Sequence, residues 1–135
     1  MTNRENVLCL DFGEARIGLA RSEENFAIPY GFLVNDATFF DKLSSVLEEY
    51  DIGKIIIGMP SQDSQIAKKV KEFGQKASQF FPGEVEFWDE KYSTAEANMI
   101  LKSRGKTVEE SKPLVDALSA SLVLQSYLDA QKEKV

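Results

Sequence analysis

The apolar positions in the first quarter of the chain come in three short runs that are separated by polar breaks. These runs are Val7–Leu10, Ile17–Ser22 and Phe26–Val34. Each has the length of a strand and the connections between them are short, so the pattern predicts an antiparallel meander of three strands. Pro29 lacks the N–H that a central strand must donate, which favours an edge position or a strand start for this proline.

The middle of the chain alternates between helical spacing and continuous apolar runs. Apolar residues recur at helical spacing over 38–50 and again over 65–81, which predicts two amphipathic helices. Between them, the β-branched run at 54–60 predicts a strand that is buried on both faces, as in a parallel sheet covered by helices. A short fifth strand is predicted at 85–88.

The last third of the chain predicts two helices and a charged loop between them. A capping box, Ser-Thr-Ala-Glu, opens a helix over 93–104, and the polar stretch 105–112 predicts the loop. Pro113 suits the first turn of a final helix at 114–130. The order β-β-β-α-β-α-β-α-α predicts one α/β domain over residues 1–135. Its five-stranded mixed sheet would have an antiparallel meander, then parallel strands, and helices on both faces.

Composition narrows the chemistry that the chain can perform. It contains no histidine, which excludes His-based zinc sites and Ser-His-Asp triads, and its one cysteine, Cys9, lies in an apolar strand. No apolar run is long enough to span a membrane and no signal segment precedes the first strand, so we expect a cytoplasmic protein with no membrane partner. The net charge of −6 argues against strong non-specific binding to nucleic acid. An acidic site can still meet phosphates through divalent cations.

Three acidic positions stand out because each interrupts apolar sequence. Asp11 ends the first strand, Glu90 with Asp89 beside it ends the fifth, and Asp116 lies in the first turns of the last helix. Each also has a purely structural explanation: acids suit turns, and an Asp near a helix N-terminus interacts favourably with the helix dipole. Carboxylates that converge at one sheet edge would repel each other unless a cation lies between them. Oxygen ligands suit Mg²⁺ or Mn²⁺, and two such ions can promote displacement at a phosphodiester.

Four blocks of the sequence resemble the YqgF/RuvX family. The stretch DFGEARIGLA, which starts at Asp11, resembles the opening D-x-G-x-x-R-I-G-x-A of that family, and IIGMP at 56–60 resembles its V-x-G-[LM]-P strand. The stretch WDEKYSTAEA at 88–97 resembles D-E-R-x-[ST]-T-x-E-A. Lys112 with the following VDALSA and LQ resembles the last helix of the family. Together these blocks cover nearly the whole chain in the order of the family.

The resemblance implies an RNase H-like (resolvase-like) fold and a metal-dependent nuclease that processes the 5′ end of precursor 16S ribosomal RNA. By position, Asp11, Glu90 and Asp116 would be the catalytic metal ligands, with Asp89 as a further candidate and two Mg²⁺ or Mn²⁺ ions as cofactors. Arg16 and Lys112 would face phosphate or support the site. Together with the basic residues near the charged loop, the expected contacts with nucleic acid are Arg16, Lys91, Lys102, Arg104, Lys106 and Lys112.

Other functions stay open at this point. Members of the family are also described as Holliday junction resolvases, which act on branched DNA and need two sites, whereas an RNA-processing nuclease could be a monomer or a homodimer. A non-catalytic module that binds RNA or a partner is favoured by the net charge and by Lys91, which stands where the family usually has Arg. An ATP-handling protein of the actin/sugar-kinase type also begins its phosphate loop with D-x-G, but a chain of this length has no second lobe.

Overall fold

The computed structural model describes residues 5–61, 64–89 and 108–133, and in the last of these segments it describes side chains from 115 to 132. Within these residues, five strands form one sheet in the order β3-β2-β1-β4-β5. Their bounds are β1 Asn6–Asp11, β2 Arg16–Glu23, β3 Phe26–Val34, β4 Ile52–Met59 and β5 Glu84–Asp89.

The direction of the strands changes once across the sheet. The pairs β3/β2 and β2/β1 are antiparallel, whereas β1/β4 and β4/β5 are parallel. The predicted meander followed by parallel strands is therefore confirmed. Pro29 lies in β3 at the edge of the sheet, opposite Ala20, where the register of the ladder shifts.

Three helices cover the two faces of the sheet in the described part of the chain: α1 Phe39–Glu49, α2 Gln65–Phe80 and α3 Val108–Glu133. Helices α1 and α2 pack on the face that presents Leu8, Leu10, Ile55 and Ile57, which we call the α1/α2 face. Helix α3 packs on the opposite face, the α3 face, through contacts with Val7, Cys9 and Ile56. Helices on both faces were predicted, and so was the complete burial of β4, whose three isoleucines at 55–57 are inaccessible to solvent.

The last helix begins earlier than the sequence predicts. Helix α3 starts at Val108, so residues 108–112 are helical and not part of a loop. The prediction relied on Pro113 as a marker of the first turn. No glycine or proline occurs over 108–112, however, so nothing prevents the helix from extending there, and Pro113 costs it one backbone hydrogen bond. The predicted helix at 93–104 and the rest of the charged loop lie outside the described residues. None of the helices that are described is long and apolar enough to cross a membrane.

Candidate active site

Asp11 is the last residue of β1 and is half-buried at the carboxyl end of the parallel strands. Side chains alternate between the two faces along a strand, and Val7 and Cys9 of β1 pack under α3. Asp11 therefore belongs to the α3 face. Across the antiparallel ladder its Cα pairs with that of Gly18 in β2. Sites in sheets of this kind form beyond the carboxyl ends of the parallel strands, which is where Asp11 lies.

Gly18 allows Asp116, the second carboxylate-bearing residue, to pack close to Asp11. A Cβ atom at Gly18 would overlap the backbone carbonyl group of Asp116 in α3, so the absence of a side chain at Gly18 permits this approach. Because Gly18 pairs with Asp11, the backbone of Asp116 packs directly beside the strand position of Asp11. Two of the three predicted ligands, from opposite ends of the chain, are thus brought to one face at one edge of the sheet.

The longer α3 also changes the explanation of Asp116. As the ninth residue of a helix that begins at Val108, Asp116 lies beyond the first turn, to which a favourable interaction with the helix dipole is confined. An interaction with the helix dipole therefore does not explain the presence of Asp116. Asp116 is instead held by Arg16, whose Nε donates a hydrogen bond to Oδ2 of Asp116 at 2.7 Å. The two side chains are 33% and 24% exposed, so this ion pair is open to solvent.

The turn between Asp11 and Arg16 is stabilised by its own backbone geometry and by Asn35, which follows β3. A Cβ atom at Gly13 would overlap the carbonyl oxygen of Arg16, so glycine permits the tight turn. Asn35 donates from Nδ2 to the carbonyl oxygen of Gly13 at 2.9 Å, and its backbone N–H donates to Ala15 O at 2.9 Å. Asn35 therefore supports the turn that positions Asp11 and Arg16. No pattern in the sequence indicates this role of Asn35, because it depends on contacts between separate segments.

Asp89 lies on the other side of the sheet. Its Cα pairs with that of Met59, a residue that packs against the core of the α1/α2 face. Two residues earlier in β5, Phe87 contacts Gly74 of α2, whereas Trp88 packs edge-to-face on Tyr127 of α3 at 5.2 Å between ring centroids. The alternation along β5 thus assigns Asp89 to the α1/α2 face, opposite to Asp11. This placement does not support Asp89 as a ligand that shares a cation with Asp11 and Asp116.

The side chains of the remaining predicted site residues are not among those that the structure describes. Lys112 lies in α3, but its side chain is not among those described. The other predicted residues outside the described part of the chain are Glu90, Lys91, Lys102, Arg104 and Lys106. Within that part, no group of three or more acidic, histidine or cysteine side chains could hold a metal ion. The donors that Asp11 and Asp116 offer are carboxylate oxygens, which suit Mg²⁺ or Mn²⁺, and a third carboxylate would have to come from elsewhere.

Comparisons with known proteins identify relatives of this chain. A curated relative from Koribacter versatilis, named "Putative pre-16S rRNA nuclease", is 34% identical over 131 residues, which are 91% of this chain and 86% of the relative. A relative of the same name from Thermoanaerobacter pseudethanolicus is 30% identical over 137 residues, covering 95% of this chain and 99% of the relative. The similarity therefore covers at least 86% of each relative.

Solved structures show the same architecture. RuvC of T. thermophilus, in a structure described as a complex with a Holliday junction substrate, superposes with a TM-score of 0.59 and 18% identity over 96% of both chains. This likeness confirms the RNase H-like resolvase fold. A family model described as "RuvX: Holliday junction resolvase" matches residues 5–130. Since that match covers nearly the whole sequence, the chain belongs to the RuvX family.

Proposed function

We propose that this chain is a divalent-metal-dependent nuclease that hydrolyses a phosphodiester bond at the 5′ end of precursor 16S ribosomal RNA. It would act in the cytoplasm as a single domain spanning residues 1–135. One observation carries the proposal: Gly18 brings Asp116 beside the strand position of Asp11, at the edge of the sheet where such sites form. The names of the full-length relatives support the choice of substrate.

Each residue of the site has a defined task in this proposal. Asp11 and Asp116, together with Glu90, would hold two Mg²⁺ or Mn²⁺ ions through carboxylate oxygens. When bound, such ions supply an activated water and neutralise the charge that develops on the leaving oxygen. Arg16 orients Asp116 through Nε, and its remaining N–H donors can contact a phosphate oxygen of the substrate.

The distribution of charge is compatible with a nucleic-acid substrate despite the net charge of −6. Helix α2 has one acidic residue, Glu72, against four lysines on its exposed side. One of these, Lys69, pairs with Glu14 in the turn after Asp11 at 2.6 Å between Nζ and Oε1. Helix α2 thus contacts this turn through a pair whose charges cancel, and its other three lysines carry the positive charge on the α1/α2 face. Local positive charge of this kind attracts a phosphate backbone even when the whole protein is acidic.

The proposal is tested by replacing each carboxylate with its amide, in the variants Asp11→Asn and Asp116→Asn. Loss of a ligand should lower cleavage of precursor ribosomal RNA more than about 100-fold, since changing residues that merely orient ligands already costs 10–100-fold. Calorimetric titration with Mn²⁺ should show weakened binding in both variants, which is a readout independent of cleavage. Asp41→Asn, at an exposed position of α1, is the matched control and should change neither quantity. Cleavage that survives in Asp11→Asn would contradict the metal mechanism.

Cleavage of Holliday junctions is the second candidate, because the matching family model carries that description. A resolvase must cut two strands, so it would act as a homodimer with one site in each copy, whereas the RNA nuclease could act as a monomer. Incubating the wild-type protein with a four-way DNA junction and with precursor ribosomal RNA, each with Mg²⁺ or Mn²⁺, separates the two. Symmetric cutting of the junction by a dimer would favour the resolvase. Binding of either substrate without cleavage would favour a non-catalytic module.

A further inference from the structure

An exposed aromatic side chain lies next to the carboxylate-bearing residues on the α3 face. Phe32 of β3 pairs with Gly18, and Gly18 pairs with Asp11, so the three residues form one row across the sheet. Residues paired in this way present their side chains to the same face. Two strand spacings, about 10 Å, separate the backbones of Phe32 and Asp11. The side chain of Phe32 is 37% exposed.

Arg16 connects this ring to the candidate active site. Its guanidinium carbon lies 5.7 Å from the centroid of the Phe32 ring, while its Nε donates to Asp116. The bond to Asp116 uses one of five guanidinium N–H donors, so further donors are available for a phosphate. An aromatic surface beside a phosphate-binding cation is the combination that binds single-stranded nucleic acid, because the ring stacks on a base and the cation meets the backbone.

Exposure alone does not distinguish Phe32 from other apolar residues of the edge strand. Phe26, at the opposite end of β3, is 64% exposed, and single exposed apolar residues are ordinary on protein surfaces. Phe32 differs because its ring is in contact with a cation that is itself bonded to Asp116. This chain of contacts ties the exposed ring to the place where the substrate phosphate is expected.

We propose that Phe32 is a stacking platform for an unpaired base of the substrate, adjacent to the phosphodiester bond that is cut. The proposal rests on the nuclease function above and specifies the class of nucleotide that the site takes. A base inside a duplex is stacked between its neighbours and cannot present its face to a protein ring, whereas an unpaired base can. The platform therefore selects single-stranded nucleotides, and Arg16 holds the phosphate attached to the stacked base.

The test measures binding in the absence of divalent cations, so that cleavage plays no part. Fluorescence anisotropy with a labelled single-stranded RNA should show that Phe32→Ala weakens binding by about five- to 150-fold, the effect of losing one stacked base. Phe32→Trp should retain the affinity of the wild type, and its indole fluorescence should be quenched when the RNA binds. Binding to a duplex of the same sequence should change less than about twofold, since a paired base does not reach the ring. Phe26→Ala is the matched control and should bind both RNAs as the wild type does.

Several outcomes would overturn the proposal. The platform is excluded if Phe32→Ala binds single-stranded RNA as tightly as the wild type, or if it loses affinity for single strand and duplex equally. A change in sedimentation velocity without a change in affinity would assign Phe32 to a contact between copies of the chain. If Phe32→Ala fails to fold, Phe32→Leu keeps an apolar side chain without a ring and is subject to the same criteria. Cleavage that persists in Asp11→Asn would instead contradict the nuclease mechanism and leave the stacking result standing.

Discussion

Two ion pairs lie under α3 on the same face of the sheet, and they differ in how completely the protein surrounds the cation. At one end Arg16 Nε contacts Asp116 Oδ2 at 2.7 Å, and at the other end Lys54 Nζ contacts Glu86 Oε1 at 2.9 Å. Lys54 also lies 5.0 Å from the centroid of the Tyr127 ring. Tyr127 follows Asp116 by eleven residues in α3, which corresponds to about 16 Å along the helix axis.

Only the cation of the Lys54 pair is enclosed by protein groups, since the side chains of Glu86 and Glu84 are 36% and 62% exposed. The Lys54 side chain is only 10% exposed, and its ammonium contacts a second carboxylate, that of Glu84, at 3.5 Å. Burial acts to lower the pKa of Lys54, but hydrogen bonds to Glu86 and Tyr127 and their electrostatic attraction outweigh it, so that the pKa is raised. The ammonium is therefore held in its charged form. This cluster ties β4 and β5 to α3.

The cation of the Arg16 pair is open by comparison, since the Arg16 side chain is 33% exposed against 10% for that of Lys54. The raised pKa of Lys54 is explained by the protein groups that surround its ammonium. The clearly shifted lysine belongs to a cluster whose groups satisfy one another, as structural ion-pair networks often do. The candidate active site is identified by geometry: an accessible cation, a carboxylate and an exposed ring that lie beside the strand position of Asp11.

The largest effect that this comparison predicts is the loss of activity in Arg16→Gln. Removing the cation leaves Asp116 without its orienting partner and removes a phosphate contact, so cleavage should fall by about 10–100-fold. Stability should fall by less than about 1 kcal/mol, because the pair is partly exposed. Cleavage assays and urea unfolding measure the two quantities, with Arg21→Gln on the α1/α2 face as the control. A large loss of stability with little loss of activity would assign Arg16 a structural role.

The opposite pattern is expected for Lys54→Met. Methionine fills similar space, but it removes the hydrogen bond and the charge that Lys54 offers to the partly exposed Glu86, which should cost about 0.5–1.5 kcal/mol of unfolding free energy. Cleavage per folded molecule should remain at the level of the wild type, since Lys54 is far from Asp11. Urea unfolding provides the measurement, and Lys76→Met, at an exposed position of α2, provides the control. A folded Lys54→Met variant that fails to cleave would contradict the assignment of Lys54 to stability and of Arg16 to activity.

Sequence patterns alone predicted most of the fold, for reasons that are local. Alternating and continuous apolar runs placed all five strands and the first two helices within a few residues of their observed bounds. Asp11 and Asp116 could be selected because each interrupts apolar sequence.

Other features could not be predicted from local patterns. The predicted start of α3 was wrong because a helical turn precedes Pro113, whereas the local rule places proline in the first turn. Asp89 lies on the face opposite to Asp11 because of the register of β5 on β4. The contacts of Arg16 with Asp116 and Phe32 join three separate segments, and no local pattern encodes them.

The smallest predicted effect is the dependence of the Lys54 cluster on alkaline pH. The pKa of Lys54 in the folded protein lies above its ordinary value of 10.5, so folding favours the protonated form. The cluster therefore contributes its full stability below about pH 10.5 and loses it as the pH rises toward the folded pKa. Urea unfolding of the wild type and Lys54→Met at several pH values should give a constant difference between about pH 8 and pH 10, which narrows above that range. A difference that persists unchanged at higher pH would show that packing of the Lys54 stem, and not its charge, stabilises this end of α3.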